Sequence, residues 1–232
     1  MSNQVEPLRH LTVFDPAAFG NKRVDVIGCG ATGSMIVMQL AKLGVQNLHV
    51  HDFDVIEGHN IANQAFGICD IGQKKVDALA RRVKDDTGLV VTTHDQAVTG
   101  RSLLGSVVFL LTDTMASRKE IWEGAIRYKP AIEQMFETRM GADEGRVYSV
   151  CPTNPAEVKL WEGTLCRDEE ASESLCGART TIGATAALVS AFATWAFLRW
   201  NNWQRLGGDQ PEAENIFFAR PPMTVIRHAS LV

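Results

Sequence analysis

The sequence predicts an α/β protein with a Rossmann-like open, mostly parallel sheet, flanking helices and antiparallel C-terminal additions. Strand-like and helix-like segments alternate as far as Met135, a glycine-rich turn separates the first strand from the first helix, and the alternation stops after Thr138. Strands that alternate with helices favour parallel pairing through right-handed crossovers. Because no linker or internal repeat interrupts the chain, we expect residues 1–232 to form one domain.

The individual elements follow from apolar periodicity. Short apolar runs rich in β-branched residues predict strands at residues 23–28, 47–52, 89–93, 107–111 and 131–135. Helical spacing of apolar residues predicts helices at residues 34–44, 73–87 and 115–128. Residues 146–150 look like an antiparallel addition, residues 151–177 like a polar loop, and residues 216–219 like a short further strand. A long helix is predicted over about 180–205, buried in a core or subunit interface rather than in a membrane.

The turn after the first strand has the sequence VIGCGATGSM. Its glycines, Gly28, Gly30 and Gly33, form a G-x-G-x-x-G pattern directly before Ser34. Such glycines let the backbone approach a pyrophosphate, and the following helix offers free N–H groups and a partial positive charge. The pattern indicates a nucleotide site but does not separate NAD, FAD, S-adenosylmethionine and ATP.

The charge balance and the cysteine count argue against several classes of protein. With 23 basic and 27 acidic residues and a net charge of −4, the chain lacks the basic footprint of a nucleic-acid-binding protein. Five cysteines without a C-x-x-C pair indicate neither a disulfide framework nor a four-cysteine zinc site. The first ten residues also lack an apolar run of signal-peptide type, so we expect a cytoplasmic protein that does not enter a membrane.

A polar segment follows the second strand and carries the most specific signal. Asp52 ends that strand, where an acid can bind ribose hydroxyls. Five short motifs follow one another along the chain, at residues 28–34, 52–54, 60–64, 72–75 and 113–118. In this order they match a glycine loop, D-x-D, N-x-x-R-Q, G-x-x-K and D-N/S-x-x-x-R. With these motifs the chain resembles the adenylation domain of the ThiF/MoeB/ubiquitin-activating-enzyme superfamily.

The resemblance implies that ATP and Mg²⁺ are used to adenylate the C-terminal carboxylate of a ubiquitin-like or sulfur-carrier protein. A carboxylate with a pKa of about 3.5 is already ionised at neutral pH, so the reaction needs positive charge rather than a general base. By the match, Lys75 contacts the phosphates, Asp113 holds Mg²⁺ and Asn60 helps to orient the phosphates. The nucleotide-binding residues implied by the match are Gly28, Gly30, Gly33, Ser34, Asp52, Asp54, Asn60, Asn63, Gln64, Lys75 and Arg118.

One position departs from the family pattern. Asn63 stands where the family has an arginine between the asparagine and the glutamine. An asparagine cannot replace the charge that a guanidinium brings to phosphate oxygens. Either Lys74, or a partner subunit's residue such as Arg9 or Arg23, compensates, or ATP turnover is weak.

The cysteines differ in their predicted roles. Cys176, which precedes the long helix, matches the cysteine that captures the activated carrier in ThiF-type members, and a helix N-terminus favours its thiolate. Cys166 in the polar loop is the alternative, and a third reading gives neither cysteine a covalent role. Cys29 and Cys69 are expected to pack as small hydrophobic residues.

Two other functions stay open from the sequence. An NAD-dependent oxidoreductase would use the glycine loop and Asp52, but it leaves residues 60–75 unexplained. A degenerate nucleotide-binding interaction subunit is supported by Asn63 and opposed by Asp52, Lys75 and Asp113. For the adenylating enzyme we expect a carrier protein and a conjugating-enzyme-like protein as partners, and the apolar long helix predicts a homodimer.

Overall fold

The computed structural model describes residues 2–167, 181–219 and 223–228, and within them eight strands form one sheet. In chain order the strands are β1 (Arg23–Ile27), β2 (Asn47–His51), β3 (Thr92–His94), β4 (Val107–Leu110), β5 (Gln134–Met140), β6 (Glu144–Val150), β7 (Glu214–Phe218) and β8 (Thr224–His228). Their spatial order is β3-β2-β1-β4-β5-β6-β7-β8. Strands β1 to β5 are parallel, whereas β6, β7 and β8 are added antiparallel. The predicted fold class is therefore confirmed.

Helices cover both faces of this sheet. They are α1 (Pro16–Phe19), α2 (Ala31–Leu43), α3 (Lys75–Thr87), α4 (Met115–Ile121), α5 (Pro155–Glu162) and α6 (Gly183–Leu206). A π-helical turn, Trp122–Ile126, continues α4. None of the helices in the described part of the chain is long and apolar enough to cross a membrane.

Several elements differ from the sequence prediction. Helices α1 and α5 and strand β8 were not predicted, and strands β3 and β5 begin at Thr92 and Gln134 rather than at residues 89 and 131. Helix α5 lies inside the predicted polar loop, where the Asn154 side chain caps it and Pro155 occupies its first position. Val158 and Trp161, three residues apart, bury its inner face. The sequence of strand β8 itself lacks strong apolar alternation. The strand forms because β7 offers it an open edge to pair with.

Within the described part of the chain, the sheet separates two hydrophobic cores. On one face, Val24, Val26 and Val50 pack under α2, α3 and α6. On the other face, Ile27 and Leu110 pack under the segments around α4 and α5. Helix α6 lies against α2, β5 and β6, so much of its apolar surface is covered within the chain.

The strand order changes direction at β1. From β1 the chain proceeds through β2 to β3 on one side, and it then crosses to β4 on the other side. In open α/β sheets, the carboxyl ends of the strands beside such a switch point form a ligand crevice. The segments that follow β1, β2 and β4 are therefore the place to look for a functional site.

Candidate nucleotide-binding site

The turn that follows β1 has a conformation that only glycine allows. Gly28 has a φ of +95°, and a Cβ there would lie 2.7 Å from the carbonyl oxygen of Leu111. A Cβ at Gly33 would lie 1.9 Å from the carbonyl oxygen of Gly28. The first turn of α2 is thus packed directly on the loop, and the loop on the end of β4.

The middle of the same loop is open. Gly30 is the N-cap of α2, and no heavy atom among the described residues lies within 4 Å of the place that its Cβ would take. Ser34 holds the loop in place through two hydrogen bonds. Its hydroxyl donates to the Gly30 carbonyl at 2.7 Å and accepts from the Ala65 N–H at 3.0 Å. Open space at a helix N-terminus suits an anionic group.

Asp52 connects the loop to the segment that follows β2. One carboxylate oxygen accepts from the Cys29 N–H at 2.7 Å, and the other accepts from the Asp54 N–H at 2.9 Å. The side chain is partly exposed beside the glycine loop. It is placed where an acid binds ribose hydroxyls in sites of this kind.

Lys75 brings a buried positive charge to the same edge. It is the first residue of α3, and its side chain is only 8% exposed, whereas that of Asp54 is 50% exposed. Its Nζ lies 2.6 Å from Asp54 Oδ2, and its N–H donates to the Asp54 carbonyl at 3.0 Å. Lys74, next to it, donates to the Phe53 carbonyl and pairs with Asp95 at 3.1 Å.

The segment that follows Asp54 contributes three amide side chains, those of Asn60, Asn63 and Gln64. Asn60 is buried, and its Oδ1 accepts from the Glu57 N–H at 2.8 Å. Asn63 donates through Nδ2 to Thr181, which lies two residues before the first residue of α6. Asn63 Oδ1 and Gln64 Oε1 are buried and accept no hydrogen bond from the described residues. Because unsatisfied buried acceptors are costly, both oxygens suit a donor from a ligand, such as a hydroxyl, an amino group or a bound water.

The segment after β4 contributes Asp113 and Thr112. Asp113 is exposed at the carboxyl end of the strand. The hydroxyl of Thr112 is buried without a hydrogen-bond partner in the described part of the chain. Sequence reasoning did not single out Thr112, although its place between the end of a strand and Asp113 was a usable signal.

Arg118 is placed differently from the other predicted site residues. Its buried guanidinium lies 3.2 Å from Glu137 Oε1 and donates to the carbonyls of Thr112 at 2.5 Å and Thr138 at 3.2 Å. Glu137, which is fully buried, also pairs with Arg139 at 3.1 Å. In this structure Arg118 therefore supports the ends of β4 and β5, and its contact with a nucleotide stays a prediction.

The cysteines occupy distinct environments. Cys29 is completely buried, as predicted, and this burial, reinforced by the charge of Asp52, raises the pKa of its thiol. The prediction for Cys69 is wrong, since the short 3₁₀ turn Ile68–Asp70 leaves it exposed. Cys166 is partly exposed. Cys176, with its neighbour Arg179, lies outside the described residues.

Arg23, which was proposed to act from a partner subunit, is remote from the site of its own chain. It pairs with Asp25 at 2.6 Å on the first residues of β1, at the sheet edge opposite the glycine loop. Lys74 lies on the site's own edge, beside Asp54 and Lys75. Lys74 is therefore the better placed of the two within one chain.

The family model described as "ThiF family" matches residues 5–221. The chain belongs to the ThiF family. Probable adenylyltransferase/sulfurtransferase MoeZ of Mycobacterium tuberculosis is 34% identical over 76 residues, which are 30% of this chain and 19% of MoeZ. The NEDD8-activating enzyme E1 catalytic subunit of Arabidopsis thaliana is 31% identical over 105 residues, 43% of this chain and 23% of that subunit. The matches thus span less than a quarter of these relatives' length.

Solved structures show the same fold. E. coli MccB, crystallised with AMPCPP and MccA, superposes with a TM-score of 0.65 at 13% identity, covering 90% of this chain and 64% of MccB. PaaA gives a TM-score of 0.68 at 18% identity, covering 90% of this chain and 73% of PaaA. At these identities the likeness establishes the architecture alone.

Proposed function

We propose that this ThiF-family chain uses ATP to adenylate a carboxylate, and that the carboxylate is the C-terminus of a ubiquitin-like or sulfur-carrier protein. The observation that carries the proposal is the buried Lys75 ammonium, held by Asp54 at the strand edge where Asp52 accepts from the glycine loop. A cation, a ribose-binding acid and an open helix N-terminus suit a nucleoside triphosphate. The relatives support the same activity, because MoeZ is named an adenylyltransferase and MccB was crystallised with the ATP analogue AMPCPP.

The reaction follows from these groups. An ionised carboxylate oxygen of the carrier attacks the α-phosphorus of ATP, a new P–O bond forms, and the bond to the pyrophosphate leaving group breaks. Lys75 neutralises charge on the phosphates, and the N-terminus of α2, beside the open space at Gly30, supplies N–H groups and a partial positive charge. Asp52 and the acceptor oxygens of Asn63 and Gln64 hold the nucleoside. No group needs to remove a proton from the carboxylate, since it is already ionised.

Magnesium fits this site through Asp113. In the described residues no cluster of three or more His, Cys, Asp or Glu side chains is arranged to hold a metal. Mg²⁺ needs no such cluster, since it usually takes one or two carboxylates together with substrate phosphates and waters. An exposed carboxylate beside the crevice is that kind of ligand. When bound, the ion would neutralise phosphate charge.

Transfer to a cysteine is the finer part of the proposal. We infer from the family resemblance that Cys176 attacks the acyl-adenylate carbonyl, forming an acyl–cysteine bond and releasing AMP. Enzyme, carrier and Mg·ATP are mixed and examined by non-reducing gels and mass spectrometry, with Cys176→Ala and Cys166→Ala as variants. Cys176→Ala should keep pyrophosphate exchange and lose the adduct. An adduct that disappears only in Cys166→Ala assigns the transfer to the loop cysteine.

The proposed activity is tested first by ligand choice. Calorimetry should show tighter binding of Mg·ATP than of NAD or FAD, and ATP–pyrophosphate exchange should require a carrier with a free C-terminal carboxylate. Tighter NAD binding or a retained flavin would favour the oxidoreductase instead. Binding of Mg·ATP without exchange, across a panel of carriers, would favour an interaction subunit. We further propose a single cytoplasmic domain that acts as a homodimer and delivers its product to a conjugating-enzyme-like protein.

A further inference from the structure

Three histidines form a stacked column beside the nucleotide site, on the sheet face opposite α2 and α3. Leu48 and Val50 of β2 belong to the core under these helices, so the alternating residues His49 and His51 face the other side. His94 of β3 stacks on His51, with ring centroids 4.1 Å apart and planes within 4°, and its centroid lies 5.3 Å from that of His49. We call His49, His51 and His94 the histidine column.

At one end of the column, His51 makes a buried hydrogen bond to an aspartate of β1. His51 Nε2 lies 2.7 Å from Asp25 Oδ1, and Asp25 is fully buried in β1. Asp25 also receives Arg23 on Oδ1 and the Gly105 N–H on Oδ2 at 2.7 Å. Burial opposes the charge of Asp25, but the hydrogen bonds from His51, Arg23 and Gly105 hold its pKa below the ordinary value. His51 therefore donates through Nε2 to an ionised carboxylate.

At the other end of the column, around His49, the direction of each hydrogen bond can be assigned. Asn47 donates its amide nitrogen to the Asn21 carbonyl, so it presents Oδ1 to His49 Nε2 at 3.1 Å. His49 Nε2 then carries a hydrogen, and His49 Nδ1 is an acceptor. Since His94 Nε2 lies 3.0 Å from His49 Nδ1, His94 donates there. His49 is neutral in this arrangement, because a second hydrogen between these two nitrogens would have no acceptor.

The backbone of the column holds the residues of the nucleotide site. The His51 carbonyl accepts from the Gly28 N–H at 2.8 Å, and the His94 carbonyl accepts from the Asp52 N–H at 3.2 Å. Asp52 in turn accepts from the Cys29 N–H. The ends of β2 and β3 thus determine where the Asp52 carboxylate lies. Side chains that lock these two ends together act on Asp52 without touching a ligand.

We propose that the histidine column positions Asp52 for the ribose of the nucleotide, with His94 as its central positioning residue. The inference rests on the proposed function for the identity of the ligand, and on the described contacts for the geometry. The column acts on the nucleoside part of the site, whereas the phosphate part depends on the glycine loop and on Lys75. The two parts can therefore be separated by experiment.

The test compares ligands that differ only in the groups that Asp52 would bind. Dissociation constants are measured for Mg·ATP, for Mg·2′,3′-dideoxy-ATP and for inorganic tripolyphosphate. The wild-type protein should prefer ATP over its dideoxy analogue by roughly ten-fold, the worth of a charge-assisted hydrogen bond. His94→Ala should lose most of this preference and keep its affinity for tripolyphosphate.

Two substitutions of His49 provide the same test if His94→Ala does not fold. His49→Leu removes the acceptor for His94 Nε2 and should lower the preference, whereas His49→Gln supplies another acceptor and should retain it. His10→Gln, at a histidine that contacts Leu43 outside the column, is the matched control and should behave as wild type. Equal weakening of all three ligands, or an unchanged preference in both His94→Ala and His49→Leu, would overturn the inference.

A readout without nucleotide separates this inference from the proposed function. In the ligand-free protein, amide hydrogen exchange at Cys29 and Asp54 should accelerate by about ten-fold or more in His94→Ala, because their acceptor Asp52 is released. Exchange in the centre of α6 should stay as in wild type. Unchanged exchange at Cys29 and Asp54 would overturn the positioning role even if the wild-type protein bound no ATP. Failure of ATP binding with accelerated exchange would contradict only the proposed function.

Discussion

The Lys75 ammonium lies 2.6 Å from the carboxylate of Asp54, and the two side chains differ sharply in exposure, at 8% and 50%. The half-exposed acid therefore holds a nearly buried cation in place at the first residue of α3. A phosphate that enters beside the glycine loop meets a charge that is already oriented. Preorganised charge of this kind costs little reorganisation when a polyanion reacts.

Replacing this cation should abolish most of the activity. Lys75→Met removes the charge and keeps an unbranched apolar side chain in place of the lysine stem, so we expect ATP–pyrophosphate exchange to fall by about 100-fold or more. The measurement is exchange with a cognate carrier. Lys84→Met, at an exposed position of the same helix, is the matched control and should keep wild-type exchange. Near wild-type exchange in Lys75→Met would remove Lys75 from the phosphate site.

The proposed magnesium ligand can be tested in the same assay. Asp113→Ala should reduce exchange by about 100-fold or more, because losing the carboxylate removes a ligand from the ion that neutralises the phosphates. The fold should be kept, since Asp113 lies exposed at the strand end. Glu120→Gln, an exposed acid of the following helix, serves as control. Full exchange in Asp113→Ala at limiting Mg²⁺ would exclude this role.

The sequence predicts those parts of the fold that depend on local pattern. Strand β1, the glycine turn and α2 carry apolar periodicity and glycines that have one physical explanation, and the structure has them in place. Helix α5 was missed because its apolar face is short and its neighbours are polar. Strand β8 was missed because its pairing depends on the free edge of β7, which no local pattern records.

The residues of the candidate site also fall into those that local sequence predicts and those that it does not. Asp52, Asp54 and Lys75 follow strand ends or begin a helix, so their meeting at one edge could be predicted from topology. The placement of Arg118 could not, because its partner Glu137 belongs to another strand, and only packing brings the two together. The histidine column also escaped prediction, since it needs the register of β2 against β3.

The ion pair between Arg118 and Glu137 should matter for stability before it matters for binding. Arg118→Met keeps the volume but leaves part of the buried Glu137 charge uncompensated, which costs about 3 kcal/mol. Urea unfolding measures this loss, and nucleotide affinity under folding conditions should change less. Arg101→Met, at an exposed site, is the control. If the variant keeps wild-type stability but has strongly reduced ATP affinity, Arg118 binds the nucleotide rather than stabilising the fold.

The outer surface of α6 offers a test of the proposed homodimer. Although α2, β5 and β6 cover much of this helix, Trp195 remains 54% exposed on it. We expect light scattering to show a dimer at micromolar concentration, and Trp195→Glu to weaken it, because a charge would then replace the indole at the interface. Leu103→Glu, at an exposed leucine outside the helix, should leave the dimer intact. A monomeric wild type would contradict the dimer.

The histidine column also makes stability depend on pH, with a definite sign. Burial, followed by the charge of Arg23, lowers the pKa of His49 to about 4, and the neighbouring His94 and His51 act in the same direction, whereas Asp25 opposes them. The pKa of His94 is lowered too, by burial and by the charges of His51 and Arg23.

Between its folded and unfolded pKa values, His49 takes a proton in the unfolded chain but not in the folded one. The free energy of unfolding must therefore fall as the pH falls from about 6.5 to about 4. The lowered pKa of Asp25 acts in a different window, since an acid of this kind loses its contribution only below its ordinary value of 3.8. The single proton of His49 contributes at most about 1.4 kcal/mol per pH unit to the slope, and solvent around the partly exposed ring reduces this contribution further.

Urea unfolding at about pH 7, 5.5 and 4.5 would measure this slope. His49→Gln cannot take up a proton yet keeps an acceptor for His94, so its stability should fall less on acidification than that of wild type. The control is His59→Gln, because His59 is exposed and lies outside the column, and its slope should match wild type. If His49→Gln and wild type lose stability in parallel between pH 6.5 and 4.5, His49 is not held neutral by the contacts described above, and the donor order of the column is wrong.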